Sequence, residues 1–164
     1  MPRFTGTGKG LCGMIPEGHT VATCRRLFVY GTLRRGFELH HYLPSLGARF
    51  LAEGKVAAEL VDLGRYPGAR PAGQRGKWVR GEIFQLRRPA RDLRVLDEVE
   101  GFNPHAPERS EFVRAATEVK LNNGARQHAW IYWLGARMGA THRIASGDYA
   151  AWMGPRRSTG GSHG

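Results

Sequence analysis

The sequence predicts an α+β domain built mostly of antiparallel strands with flanking helices. Short apolar runs bounded by glycine and proline recur along the chain, which is typical of strands. The tripeptide at 122–124, Asn-Asn-Gly, separates two such runs and is a strong signal for a β-hairpin. One segment, residues 89–102, instead has the three-residue apolar spacing of a helix. Strands therefore dominate, with few helices.

The first predicted strand is LFVYG, residues 27–31, and it ends abruptly in a threonine, a leucine and two arginines. Its apolar run is typical of a short buried strand, and Gly31 gives the backbone the freedom to turn sharply. We expect such a turn to present backbone N–H groups to whatever binds there.

Four further strands follow along the chain. Glycine and proline clusters bound the first two of them, and the Asn-Asn-Gly turn joins the last two as a hairpin. In order they are GKVAAELVDL (54–63), KWVRGEIFQL (77–86), RAATEVKL (114–121) and RQHAWIYWL (126–134).

The clearest predicted helix is PARDLRVLDEVEGF, residues 89–102. Pro89 suits a first-turn position, Leu93 and Leu96 lie three residues apart, and Gly101 suits the C-terminal stop. A second, shorter helix is predicted within ELHHYLPSLG, residues 38–47, before its proline interrupts the pattern.

Length and composition favour one folded domain. The chain has 164 residues and 41% hydrophobic content, enough for one core of ordinary size. Residues 1–26 and 154–164 are rich in glycine or low in complexity, so we predict a flexible N-terminal extension, a domain over 27–153 and a flexible C-terminal tail. No stretch has the length of a membrane span or a signal-peptide core, which favours a cytoplasmic protein.

The formal net charge of +11 raises the possibility of nucleic-acid binding, since clustered Lys and Arg bind phosphates. The basic residues of the predicted domain are scattered, and no zinc-finger spacing or aromatic-basic strand motif accompanies them. We therefore do not expect nucleic acid as a partner. A monomer or a homodimer that binds a small molecule is expected.

Cysteine and histidine residues predict no metal site. Cys12 and Cys24 are the two cysteines of the chain, and their spacing indicates free thiols more readily than a disulfide framework or a paired-cysteine metal site. His40 and His41 adjoin, but neighbours on a strand point to opposite faces. We expect neither a metal nor a cofactor.

Three carboxylates stand near the end of the predicted helix. At 100° per residue from Leu93, Asp97 lies at about +40°, Glu98 at about +140° and Glu100 at about −20°. Glu100 therefore shares the apolar stripe, and burial would raise its pKa into a range useful for proton transfer. Equally, Glu100 could cap the helix or pair with an arginine, and Asp97 could make a structural hydrogen bond. Glu98 is expected in solvent.

Five motifs together resemble the γ-glutamylcyclotransferase-like superfamily, most closely its γ-glutamylamine cyclotransferase and AIG2-like branch. They are FVYGTLRRG, LVDLGRYPGARPAG, VRGEIFQL, LDEVEGF and SGDY, and they appear in the family's order across residues 27–149. The resemblance implies a small mixed, mostly antiparallel β-barrel with flanking helices and no cofactor.

The resemblance also implies site residues. Tyr30, Gly31, Thr32 and Leu33 match the family's substrate-binding turn, whose N–H groups would hold the α-carboxylate of a γ-glutamyl group. Arg34 and Arg35 either add attraction or are solvated. A second segment matches a pocket wall, although its Pro-Gly is also a plain turn signal; its residues are Tyr66, Pro67 and Gly68.

The family's catalytic glutamate lies at the helix end directly before glycine, which is Glu100 here. The implied reaction is intramolecular aminolysis, in which the substrate's own α-amino group closes a 5-oxoproline ring and Glu100 transfers the proton. Arg114 matches an arginine that follows this helix, and Phe112 stands where many members have tyrosine. The turn reads YGTL and not the YGSL of the glutathione-specific branch, which disfavours glutathione. The competing hypothesis is a non-catalytic module that binds a small ligand or a polyanion.

Overall fold

A computed structural model describes residues 24–72, 75–139 and 142–154 of the chain. The predicted tails 1–26 and 154–164 lie outside these residues except at their inner ends, so the domain limits stay a prediction. The strands are β1 Arg26–Val29, β2 Arg49–Asp62, β3 Pro67–Pro71, β4 Trp78–Gln85, β5 Phe112–Leu121, β6 Arg126–Leu134 and β7 His142–Arg143. The helices are α1 Tyr42–Ser45 and α2 Pro89–Val99, with a 3₁₀ turn at Pro107–Arg109 and a helical segment over 149–154.

Five strands close into a barrel in the order β2, β4, β1, β6 and β5, and β5 pairs with β2 again. The β1–β6 pair is parallel, with Leu27 opposite Trp130, whereas the other barrel pairs are antiparallel. Closure is made where Gly54 and Lys55 of β2 meet the end of β5. The mixed, mostly antiparallel barrel with flanking helices that the resemblance implied is therefore confirmed.

The long strand β2 shows why this sequence makes a barrel wall. Val56, Ala58 and Leu60 point into the core at every second position, while the residues between them are half-buried or exposed. At its far end β2 leaves the barrel and pairs with β3 and β7. Side chains of one face thus build the core, and the other face meets solvent.

The predicted hairpin and the main helix are both present. Residues 122–124 turn the chain between β5 and β6, and Gly124 has the positive φ of +91° that such a turn requires. Helix α2 begins at Pro89 and packs Leu93 and Leu96 against the barrel, as their spacing predicted. The helix ends at Val99, and Gly101, two residues later, has the positive φ of +68° that favours glycine after a helix.

Two strands and one helical segment were not predicted. β3 is short and contains two prolines, which suits an edge strand but hides it from pattern analysis. β7 has two residues, and residues 149–154 are helical inside the region predicted as the end of the domain. The shorter predicted helix is present as α1, reduced to four residues.

The prediction of free thiols is wrong at Cys24, which is disulfide-bonded. Spacing along a chain does not fix the distance between two sulfur atoms, so the sequence carried no geometric test of pairing. Cys12 lies outside the described residues. Among the residues that are described, no helix has the length and apolar character needed to cross a membrane.

Candidate active site

The turn after β1 is held in a tight conformation. A Cβ on Gly31 would lie 2.8 Å from Cγ of Pro67, so the two chain segments can approach this closely only because residue 31 is glycine. Among the described residues, the N–H groups of Gly31, Thr32 and Leu33 donate to no protein acceptor. They are therefore available to an anionic ligand, as the sequence predicted for this turn.

The two arginines that follow the turn fix it to the barrel. Glu82, which is buried on β4, accepts hydrogen bonds from the backbone N–H of Arg35 at 3.0 Å and from its Nε at 3.3 Å. Arg34 donates from Nη1 to Oδ1 of Asp148 at 2.9 Å. Both guanidinium groups are therefore committed to ion pairs, and neither lines the cavity described next.

Asp148 belongs to the SGDY motif and completes this anchor. Burial alone would raise the pKa of its carboxyl, but the hydrogen bond and charge of Arg34, with the N–H groups of Ala150 and Ala151, lower that pKa below its ordinary value. The carboxylate thus stays ionised at neutral pH and keeps Arg34 in place.

A cavity opens between this turn, the loop before β3 and the end of α2. We call it the Glu100 cavity, and it encloses about 550 Å³ when its open mouth is included. The predicted site residues that line it are Tyr30, Gly31, Thr32, Leu33, Tyr66, Pro67 and Glu100.

Glu100 caps the C-terminal end of α2, and its half-buried side chain lines the cavity. Within the described part of the chain, its carboxylate has no hydrogen bond and no ion pair. Burial raises the pKa of this carboxyl to about 7. The alternative that Glu100 pairs with an arginine is therefore not what the structure shows, and the group can hold or release a proton near neutral pH.

Asp97 makes structural hydrogen bonds, which was one of the alternatives that the sequence allowed for it. Arg114 donates from Nε and Nη2 to its two carboxylate oxygens at 2.8 and 3.1 Å, and the Tyr132 hydroxyl donates to Oδ1 at 2.7 Å. Asp97 is buried, and the guanidinium also lies 4.7 Å from the ring centre of Trp130. Arg114 thus completes a saturated network that holds α2 on the β5–β6 hairpin.

Tyr30 links the cavity to the core through its hydroxyl. The group donates to the carbonyl of Tyr132 at 2.7 Å and accepts from the N–H of Ala69 at 3.1 Å. Burial first, and then the negative charge of Glu100, raise the pKa of Tyr30 well above its ordinary value. The hydroxyl therefore stays protonated and acts as a fixed structural donor.

Gly68 is the predicted site residue that does not line the cavity. It lies on β3, where a Cβ would come within 2.9 Å of Cδ1 of Leu134, so its small size serves strand packing. Phe112 does line the cavity and packs on Tyr66 with ring centres 5.9 Å apart. An apolar ring without a hydroxyl thus forms this part of the cavity wall.

Two polar cavity residues escaped the sequence interpretation, Glu111 and Tyr132. Glu111 lies directly before β5 and Tyr132 lies in β6, and neither belongs to a motif or an unusual pattern. Only the closure of the barrel brings them to Glu100. Among the described residues, no group of three or more His, Cys, Asp and Glu side chains could hold a metal ion, and the expectation of a metal-free protein stays a prediction.

A family model described as gamma-glutamyl cyclotransferase, AIG2-like, matches residues 27–151. The chain belongs to this family. The match includes the turn after β1, the end of α2 and the SGDY segment, which are the parts that build and brace the Glu100 cavity. The predicted resemblance is thereby confirmed.

Two relatives of this chain are named as γ-glutamyl cyclotransferases. The gamma-L-glutamyl-butirosin B gamma-glutamyl cyclotransferase of Niallia circulans is 33% identical over 108 residues, which are 65% of this chain and 64% of that protein. A putative gamma-glutamylcyclotransferase of Methanocaldococcus jannaschii is 26% identical over 132 residues, 78% of this chain and 98% of that protein. The match to the first relative thus spans less than two thirds of its length.

Solved structures share the fold. An AIG2-like protein of Mus musculus superposes with a TM-score of 0.57 at 24% identity, over 75% of this chain and 89% of that one. YkqA of Bacillus subtilis superposes with a TM-score of 0.64 at 21% identity, over 83% of this chain and 43% of that one. These likenesses concern the barrel and say nothing of substrate.

Proposed function

We propose that this protein is a γ-glutamyl cyclotransferase that releases 5-oxoproline and an amine or amino acid from a γ-glutamyl compound. The observation that carries the proposal is the unpaired carboxylate of Glu100 in the cavity. Burial raises the pKa of this carboxyl to about 7. A general acid/base works best when its pKa lies near the operating pH. The name of the Niallia circulans relative supports a γ-glutamyl bond as the target.

In the proposed reaction, the free N–H groups of Gly31, Thr32 and Leu33 bind the α-carboxylate of the substrate. This contact, together with the cavity wall formed by Tyr66 and Pro67, holds the γ-glutamyl chain curled. The α-nitrogen then lies beside the γ-carbonyl carbon of the same molecule. Such positioning supplies a large part of the rate of an intramolecular attack.

Proton transfer falls to Glu100. Its ionised carboxylate takes a proton from the α-ammonium, and the freed amine attacks the γ-carbonyl carbon to form the ring C–N bond. The bond to the leaving nitrogen breaks as Glu100 returns a proton to that nitrogen. Overall, two protons pass from the attacking to the leaving nitrogen, so one ammonium is consumed and one is released. No nucleophile of the protein is required.

The test is production of 5-oxoproline, followed by mass spectrometry, from a panel of γ-glutamyl amines, γ-glutamyl amino acids and glutathione. We expect turnover by the wild type and a loss of about a thousandfold or more in Glu100→Gln, because its amide cannot carry the proton. Glu98→Gln is the matched control, since Glu98 is exposed on the same helix. Equal turnover by Glu100→Gln and the wild type would contradict the proposal, as would silence across the panel.

A further inference from the structure

A row of basic side chains crosses the outside of the barrel. Lys55 of β2 lies directly opposite Arg80 of β4 on one side and Lys120 of β5 on the other. Lys120 in turn lies opposite Arg126 of β6. Directly opposed residues of neighbouring strands point to the same face of a sheet, so these side chains share one face. We call Arg80, Lys55, Lys120 and Arg126 the basic row.

The basic row is electrostatically unfavourable in the protein alone. Like charges directly opposite one another on neighbouring strands are destabilising. Arg126 is paired with Glu118 at 3.1 Å. Within the described part of the chain, the charged groups of Lys55, Arg80 and Lys120 have neither an ion pair nor a hydrogen bond. The fold thus maintains a repulsion that a bound anion would relieve.

Trp78 is an exposed aromatic residue beside this row. It lies two positions before Arg80 on β4, and 36% of its surface is exposed. The Nζ atoms of Lys55 and Lys120 lie 4.6 and 5.9 Å from the centre of its ring. Because lysine stems are flexible, these ammonium groups can turn toward an incoming phosphate and leave the ring face open. A planar base can then stack on the indole.

A groove beside the indole ring extends the positive surface. It is lined by Lys77 and Arg143, which share the carboxylate of Glu59, and by Lys55 and Arg80 of the basic row. One carboxylate along these walls therefore stands against four cations. The groove and the Glu100 cavity have no described lining residue in common, so this surface is separate from the candidate active site.

The dimensions and chemistry of this surface favour a chain of phosphates with accessible bases. With neighbouring strands about 4.8 Å apart, the basic row is about 14 Å long, which is more than one isolated anion needs. An exposed aromatic ring next to cations is typical of proteins that bind single strands through stacking and phosphate contacts. The bases of a duplex already stack on one another, and an acidic polypeptide would give Trp78 no base.

We propose that the basic row and Trp78 form a binding site for single-stranded nucleic acid. The phosphates lie along Lys55, Arg80 and Lys120, and one base stacks on the indole of Trp78. Nucleic acid was not expected from the sequence, in which these basic residues are scattered. The register of β2, β4 and β5 brings them into one row. The inference does not depend on the proposed function.

The test measures binding of the full chain to a fluorescein-labelled twelve-nucleotide oligothymidylate by fluorescence anisotropy, at salt concentrations from about 50 to 200 mM. Lys55→Gln/Lys120→Gln should weaken binding about tenfold or more at the lower salt concentration. It should also make the slope of log K against log salt shallower by about 1.4, since each phosphate contact of a single strand contributes about 0.7.

Arg88→Gln/Arg94→Gln is the matched control for charge. Both arginines are exposed, at the start of α2 and within it, and the variant loses the same net charge as Lys55→Gln/Lys120→Gln. It should keep the affinity and the salt slope of the wild type to within about a factor of two. Equal losses in the two double variants overturn the inference, because binding would then follow net charge alone.

Stacking on Trp78 is tested with an abasic strand of the same length, which keeps the phosphates and lacks the bases. The wild type should bind the oligothymidylate about tenfold more tightly than the abasic strand, the factor expected for one stacked base. Trp78→Ala should remove this preference, and Trp78→Phe should retain most of it. Equal Kd values for the two strands in the wild type overturn the inference, as does a preference that survives in Trp78→Ala.

Two further ligands distinguish the other occupants of this surface. A duplex of the same length should bind more weakly than the single strand, and poly-glutamate at equal charge should not displace the oligothymidylate. A duplex that binds as tightly, or displacement by poly-glutamate, would indicate a surface for any polyanion or for an acidic polypeptide and overturns the inference. Absence of oligothymidylate binding at about 50 mM salt, where such contacts are strongest, also overturns it.

Discussion

Asp97 and Glu100 lie three residues apart at the end of one helix, and both face inward, yet their surroundings differ completely. Asp97 has a bidentate arginine and a tyrosine hydroxyl on its oxygens and is closed off from solvent. Glu100 has no such partner and lines a cavity. A carboxylate with every acceptor filled has nothing left for a substrate, whereas an unpaired one is free to exchange a proton.

Burial also has different consequences for the carboxylates of Asp97 and Glu100. At Asp97, the buried carboxylate has a guanidinium and a hydroxyl as partners, and these contacts hold α2 on the barrel. At Glu100, desolvation is not offset, and it appears as a pKa raised to about 7. We therefore expect substitutions at Asp97 to act mainly on stability and those at Glu100 mainly on activity.

The largest effect on stability is expected from Asp97→Asn. The change leaves the mostly buried guanidinium of Arg114 without its counter-charge, and removal of one partner of a buried ion pair costs about 3 kcal/mol or more. Urea denaturation at pH 7 would measure this as a lower free energy of unfolding. Glu98→Gln is the control and should change that energy by less than about 0.5 kcal/mol. A loss below about 1 kcal/mol in Asp97→Asn would contradict the structural role assigned to Asp97.

Glu100→Gln should have an opposite and pH-dependent effect on stability. Because the folded-state pKa of Glu100 is raised from 4.5 to about 7, its stabilising contribution is full below pH 4.5 and is lost as the pH rises through 7. The amide does not titrate. Relative to the wild type, Glu100→Gln should therefore gain about 2 to 3 kcal/mol of stability between pH 4.5 and pH 8.

Urea denaturation of both proteins across this pH range gives the measurement. The titrations of all other groups cancel in the difference between the two proteins, so only position 100 contributes. A difference that stays constant with pH would mean that Glu100 titrates as an ordinary surface carboxylate. The contrast with Asp97 would then be lost.

The sequence predicted the parts of this comparison that depend on periodicity. Rotation of 100° per residue placed Glu100 and Asp97 on the inner face of the helix and Glu98 outside, and the structure has Glu98 exposed and Asp97 buried. It could not assign their partners, because Arg114 is 17 positions from Asp97 along the chain and Tyr132 is 35. Such contacts arise only when the barrel closes.

The same limit explains the other misses. The strands that alternate apolar and polar residues were found, but β3 and β7, which are short and lie outside the barrel, carry no period to read. Glu111 reaches the cavity through the packing of the segment before β5 on Gly101, a contact without a sequence signal. The sequence thus predicted features that depend on neighbouring residues along the chain, but not contacts between residues that are distant along it.

The smallest effect on stability is expected at Tyr132. This residue lines the Glu100 cavity, but its hydroxyl donates a hydrogen bond to Asp97. Burial, and then the charge of Asp97, raise the pKa of this hydroxyl far above its ordinary value, so it remains a donor at every working pH. Tyr132→Phe removes one hydrogen bond but leaves the Arg114 pair, so it should lower the free energy of unfolding by about 1 to 1.5 kcal/mol. Tyr42→Phe is the control, because its hydroxyl makes no hydrogen bond with a described residue. If Tyr132→Phe lowered the free energy of unfolding as much as Asp97→Asn, the hydroxyl of Tyr132, and not the guanidinium of Arg114, would be the main stabilising partner of Asp97.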